Sequence, residues 1–258
     1  MSRYRNIPWQ QISVEAIAIV VSILLAFWID AKWQDHLERA EELEILHSIR
    51  AELDQNLAAI EQQLDFRAEQ QAVIQILFDA SDNKLELSSD KFDEHVANLT
   101  YWARTGFKTG ALDSLIQGGQ LGLVSTQELR AVLSSLQREY RWVDDIEKAD
   151  EQFARNYFDP FLMKNAFFPQ IANAITADSP VLVPATTNYA QGPGVDHREL
   201  LANREFLGLL VQERYNQEDA IFNLCELALR IHAVANDIDR HIGESSPARE
   251  PGRLAGCP

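Results

Sequence analysis

Apolar residues dominate one stretch of the chain so heavily that it has no polar face. Between Ile12 and Ile29 only Ser13, Glu15 and Ser22 interrupt the run. At roughly 1.5 Å per residue these residues cover about 27 Å as a helix, enough to cross a thin hydrocarbon layer. Trp9 before the run and Trp28 and Trp33 at its far end occupy positions that interfacial aromatics favour. A cleavable signal peptide is the competing reading, since Arg3 and Arg5 precede the run. The exit AFWIDAKW, however, lacks the small residues of a cleavage site. A buried core helix is a third reading, against which the all-round apolarity argues. The expectation is therefore a lipid-embedded anchor over residues 12–30, with residues 1–11 as a short cytoplasmic tail.

Glu15 stands out inside this span. A carboxyl among apolar residues is a candidate for helix–helix association or proton handling. Its place only three residues in from Ile12 also lets it reach the headgroup region. Arg3 and Arg5 on one side outweigh Lys32 and Arg39 on the other only slightly, which favours the N-terminus inside and the rest outside.

Beyond the span the apolar positions change period. Leu43, Leu46, Ile49, Leu53, Leu57, Ile60 and Leu64 step by threes and fours, one face of an amphipathic helix. No breaker intervenes before Phe78, so the pattern predicts one helix from Ile12 to Phe78, about 100 Å long. Asp79 to Asn83 ends it. Ser88, Ser89 and Asp90 offer caps for a second helix to about Arg104, with Phe92, Val96, Leu99 and Trp102 inward. A short helix, Ala111–Gln117, stops at Gly118 and Gly119. Ser125 with Glu128 forms a capping-box pattern for a helix carrying Leu129, Leu133, Leu136, Tyr140, Val143, Phe153 and Tyr157, ending before Pro160. A loop is expected near residues 184–197. The last helix runs from about His197 to Ile242 with a break near Asn203, and its stripe Leu224, Ala228, Ile231, Ala235, Ile238 and Ile242 is a heptad seam suited to the Leu46–Leu64 stripe. No alternating strand pattern survives. The expected fold class is all-α: an acidic helical bundle over residues 31–242 continuing from the span, and a disordered tail over 243–258.

Charge sharpens this picture. The chain has 258 residues with 23 Lys+Arg against 39 Asp+Glu, a formal net charge of −16. Arg3 and Arg5 cancel Glu15 and Asp30, so the acidity lies wholly beyond the span. A domain of that charge is repelled by nucleic acid and by an anionic leaflet alike, and no nucleic-acid partner is expected.

The search for chemistry returns little. Glu44 and His47 form one Glu-x-x-His, whereas a di-iron bundle needs two and further glutamates. His232, Asp237, Asp239 and His241 cluster on the last helix in the pattern of a solvated face. Gly118-Gly119-Gln120-Leu121-Gly122 has neither the preceding strand nor the G-K-[ST] of a phosphate cradle. Cys225 sits in an apolar seam as a packing thiol and Cys257 lies in the tail; in an oxidising compartment the two could pair. No catalytic residue, metal site or cofactor is expected, and the chain reads as a non-enzyme. Tyr157, Phe158, Phe161 and Phe167 are candidates to line a ligand pocket.

Three runs carry a family likeness. EAIAIVVSILLAFWIDAKW with EELEILHSIRAELDQNL, GALDSLIQGGQLGLVSTQELRAVLSSLQREY, and LLANREFLGLLVQER resemble a set of uncharacterised bacterial single-span membrane proteins with a domain of unknown function. The resemblance implies a bacterial inner (plasma) membrane, one N-terminal anchor and a helical periplasmic domain, and it supplies no site residues. A weaker similarity is to the periplasmic helical sensor domains of chemoreceptors, which have a second span that this sequence lacks. The leading expectation is a membrane-anchored scaffold or interaction protein with a protein partner or as a weak homodimer. The alternative is a periplasmic small-molecule sensor signalling through a partner.

Overall fold

One helix organises the molecule. In the computed structural model, α1 runs unbroken from Trp9 to Ser81, 73 residues, or about 110 Å at 1.5 Å per residue. The structure describes residues 9–174, 196–243 and 257. Ile17 to Leu37 are exposed along α1, and α1 is long and apolar enough in its first part to cross a membrane. Burial begins at Glu42 and Leu46, where the last helix arrives. The intramolecular packing thus begins at Arg39, which bonds His241 of the last helix, and residues 31–38 form an exposed stalk.

The turn after Ser81 places Asn83 at φ 57, a backbone region that asparagine tolerates. α2 (Ser89–Leu99) starts under a Ser88 cap that accepts from the Lys91 N–H. It stops at Leu99, not near Arg104. The segment 101–109 is held out of helical form because side chains of α1 take its backbone groups, as described below. Trp102 consequently leaves the helix and lies half-buried under the Arg155 guanidinium, 4.7 Å from its ring centroid. α3 (Gly110–Gln117) ends at Gly118, where an added Cβ would collide with the Ser114 carbonyl oxygen. Gly119 follows at φ 71, which favours glycine, and a 3₁₀ turn spans Gln120–Leu123.

α4 (Gln127–Phe153) is entered from Thr126 without a side-chain cap. The expected Ser125–Glu128 capping box is absent because Ser125 turns to Glu42 and His241 instead. Nor does the helix end before Pro160. A π turn, Ala154–Phe158, leads into α5 (Asp159–Asn165), whose first turn holds the proline where no N–H is required. α6 (Phe168–Ala174) follows. The loop expected near residues 184–197 lies largely outside the described residues. After it come α7 (His197–Leu201) and α8 (Arg204–Ile242), separated near Asn203, whose side chain caps α8 through the N–H groups of Glu205 and Phe206. No strand occurs among the described residues; the fold is all-α.

Two apolar clusters fill the bundle. The one nearer the span joins Leu46–Leu64 of α1 to Leu129–Val143 of α4 and Leu224–Ile238 of α8, so the two sequence stripes pack on each other. The distal one joins Val73–Ala80, Phe92–Leu99, Phe158–Leu162 and Leu200–Leu210. Cys225 and Cys257 form a disulfide, the paired alternative of the two open in the sequence; the rest of the expected tail, 244–256 and 258, lies outside the described residues.

Candidate functional site

Between the two apolar clusters the interior turns polar. On α1 the amides Asn56, Gln63 and Gln70 recur every seven residues and are all nearly fully buried. Seven residues is two helical turns, so the three point the same way. They grip the non-helical segment 101–109. The Asn56 amide donates to the Lys108 carbonyl at 2.8 Å and its Oδ1 accepts the Lys108 N–H at 2.8 Å. Gln63 donates to the Ala103 carbonyl at 2.9 Å, and Gln70 to those of Tyr101 at 2.7 Å and Asn98 at 3.2 Å. From the other side Glu147 of α4 accepts the Thr105 N–H at 3.0 Å. A half-buried segment without secondary structure is thereby held through several of its backbone groups.

Arg67 stands at the centre of this layer. Its Nη1 donates to Asp150 Oδ2 at 3.0 Å and to Gln217 Oε1 at 2.9 Å. The Gln217 amide in turn donates to Gln70 Oε1 at 2.7 Å and to Glu213 Oε1 at 2.6 Å. One guanidinium thus faces two buried acids, Glu147 and Glu213, and the partly buried Asp150. Burial pushes the Glu213 carboxyl up to about 7, with the negative Asp150 adding to the effect. Burial also raises Asp150 to about 6 against the pull of Arg67, and raises Glu147. The gap among Phe66, Arg67, Tyr101, Trp102 and Glu213 measures about 10 Å³, the size of a single water. A gap of that size has no room for a substrate.

A second polar cluster lies where the stalk meets the bundle. Glu42 accepts the Ser125 N–H at 2.7 Å and lies 2.9 Å from His241 Nε2, with Arg39 bonded to its other oxygen. Burial opposes the charge on Glu42, but these hydrogen bonds outweigh it and hold its carboxyl below the ordinary range. An open cleft of about 300 Å³ beside it is lined by Thr126, Glu128, Leu129, Asp237, Arg240 and His241.

The residues singled out from the sequence do not converge. Glu15 is exposed on the apolar part of α1, far from either polar cluster. Phe158 and Phe161 are buried and stack on Phe206, at ring-centroid distances of 6.4 and 5.9 Å. Tyr157 is 62% exposed and stacks on Phe153, and Phe167 is half-buried. Asp239 pairs with Arg50 at 2.9 Å and Asp237 with Arg240, which disperses the acid–histidine cluster of α8. Among the described residues no three His, Cys, Asp or Glu side chains gather as a metal site would need. The polar layer itself was missed by sequence reasoning, although its signal was available: amides every seven residues on the stripe that also carries Ile60 and Ile74. No family model, no curated protein and no solved structure matches the chain.

Proposed function

We propose that the protein is a single-pass membrane scaffold or interaction protein, anchored by residues 12–30 in a bacterial inner membrane, with its bundle on the periplasmic side. In this reading it works through contacts with other proteins and not by catalysis. The observation that carries the proposal is the continuity of α1. The same unbroken helix is fully exposed and apolar at one end and forms the spine of the bundle at the other. An exposed apolar surface of that length is costly in water and is favoured in lipid. The Cys225–Cys257 disulfide supports the outward side, since such bonds persist in oxidising compartments. The likeness to bacterial single-span proteins points the same way.

The sensor reading draws less support. Of its candidate pocket residues, Phe158 and Phe161 are spent in the distal core and Tyr157 faces away from them into solvent. Formaldehyde crosslinking of whole cells, followed by purification of the full chain under denaturing conditions, tests the interaction reading. Discrete protein adducts are expected; a chain recovered from the soluble fraction without adducts would contradict it.

A further inference from the structure

The outward face of α8 carries a second stripe, opposite the one that fills the cores. Gly208, Val211, Tyr215, Glu218, Phe222, Glu226, Leu229 and Ala233 are all exposed. At roughly 100° per residue they fall within an arc of about 80°. Val211, Tyr215, Phe222 and Leu229 are each half or more exposed, and Trp142 of α4 adds a fifth large apolar side chain at 61%. The Trp142 indole N–H donates to Asn223 Oδ1 at 3.0 Å, which sets that ring beside the stripe. Outside the span and stalk, few other large apolar side chains among the described residues are so exposed. A three–four spacing on a water-facing surface is the pattern by which one helix receives another.

Charge decides what fits. Two acids, Glu218 and Glu226, lie within the stripe, and Asp219 borders it. Glu218 is partly answered by Arg214 at 3.0 Å, and Arg230 is drawn to Glu139 at 3.4 Å. The surface therefore carries surplus negative charge at Asp219 and Glu226. A second copy is a poor occupant. Two chains anchored through α1 in one membrane must hold α8 pointing the same way, and a two-fold contact would then set Glu218 and Glu226 each against its own copy. Each chain also brings a net charge of −16. Resting on the interaction reading above, we infer that the α8 stripe with Trp142 is a docking surface for an amphipathic helix of a different protein, one bearing Lys or Arg beside its apolar positions.

The test is photocrosslinking of the full chain in its native membrane. A benzophenone amino acid is placed at Tyr215, at Phe222, or at Gln62, which is exposed on α1. The inference expects adducts with another protein at both stripe positions, whose crosslinked peptide, sequenced by mass spectrometry, is rich in Lys or Arg. It further expects the yield to fall about tenfold in the double variant Glu218→Lys, Glu226→Lys and to hold in Glu61→Lys. Adducts of the chain with itself, adducts with lipid alone, or adducts indifferent to the charge reversal would overturn it. Protein adducts at Gln62 but not at the stripe would sink this inference while leaving the interaction reading intact. Absence of protein adducts at all three positions would sink both.

Discussion

Arg39 donates from Nη2 to the backbone carbonyl of His241 at 3.0 Å, across 202 residues of sequence. Its other nitrogen bonds Glu42. This clasp marks the point where the free stalk of α1 becomes part of the bundle, and it satisfies a carbonyl at the end of α8 that no turn of helix could reach.

Glu42 is the buried member of the clasp, and its loss orphans the Ser125 N–H and frees Arg39. Glu42→Ala is expected to lower stability by roughly 1–3 kcal/mol. Thermal unfolding of the full chain in detergent reads the total, and amide exchange should quicken over Arg39–Leu46 and the last turn of α8. Unchanged exchange there would show that the clasp contributes nothing.

Removing the central cation should cost more than removing an acid. Arg67→Ala leaves buried Glu147 and Glu213 and partly buried Asp150 without it, and breaking a buried pair in this way typically costs about 3–5 kcal/mol. The double variant Arg67→Met, Asp150→Leu should recover most of that loss. A double variant as unstable as the single one would assign the cost to lost packing around Arg67 and not to charge.

The same layer makes a pH prediction. Glu213 and Asp150 have carboxyls raised to about 7 and about 6, so the folded protein holds protons that the unfolded chain releases. Their contribution is fully present below the ordinary carboxyl range and is lost as pH climbs through 6 to 7. Stability should therefore fall between about pH 4 and pH 7 and level off above, by up to roughly 3 kcal/mol for Glu213. Glu42 has the opposite sign, but its window lies below its ordinary value. Glu213→Gln should flatten the slope; a slope unaltered by that variant would place the titration elsewhere.

The disulfide closes a separation of 32 residues, for which loop-closure entropy gives about 3–4 kcal/mol. Cys257→Ser should lower the unfolding midpoint accordingly, and mass spectrometry of the untreated full chain should find no alkylatable thiol. Two free thiols in material drawn from intact membranes would contradict the pairing.

What was legible in the sequence follows from which forces are periodic. The Leu46–Leu64 and Leu224–Ile242 stripes announced themselves because burial of an amphipathic helix leaves a regular trace, and they pair as their spacing required. The Ala111–Gln117 stop was legible because Gly119 needs a positive φ. The end of α2 was not. Val96, Leu99 and Trp102 keep helical spacing, while the amides of Gln63 and Gln70, thirty to forty residues earlier, help pull that backbone into another shape. Pro160 misled because a π turn, which has no sequence signature, carries the chain past it. Ser125 and Glu128 have the spacing of a cap, but a buried Glu42 outcompetes it for the Ser125 N–H. Aromatic density near Phe158 suggested a pocket, where Phe206 from a distant helix supplies the ring that fills it.

The measurement that bears most directly on an anchored, outward-facing bundle is the sidedness of the distal turn. Asn83 lies in the exposed turn after α1, at the opposite end from the span. In the full chain with Asn83→Cys, both native cysteines remain paired, so the new thiol is the one available to label. The account predicts that the chain stays with the membrane through alkaline carbonate extraction, and that a membrane-impermeant maleimide labels it fully on intact spheroplasts. Release by carbonate, or labelling that appears only after lysis, would contradict it.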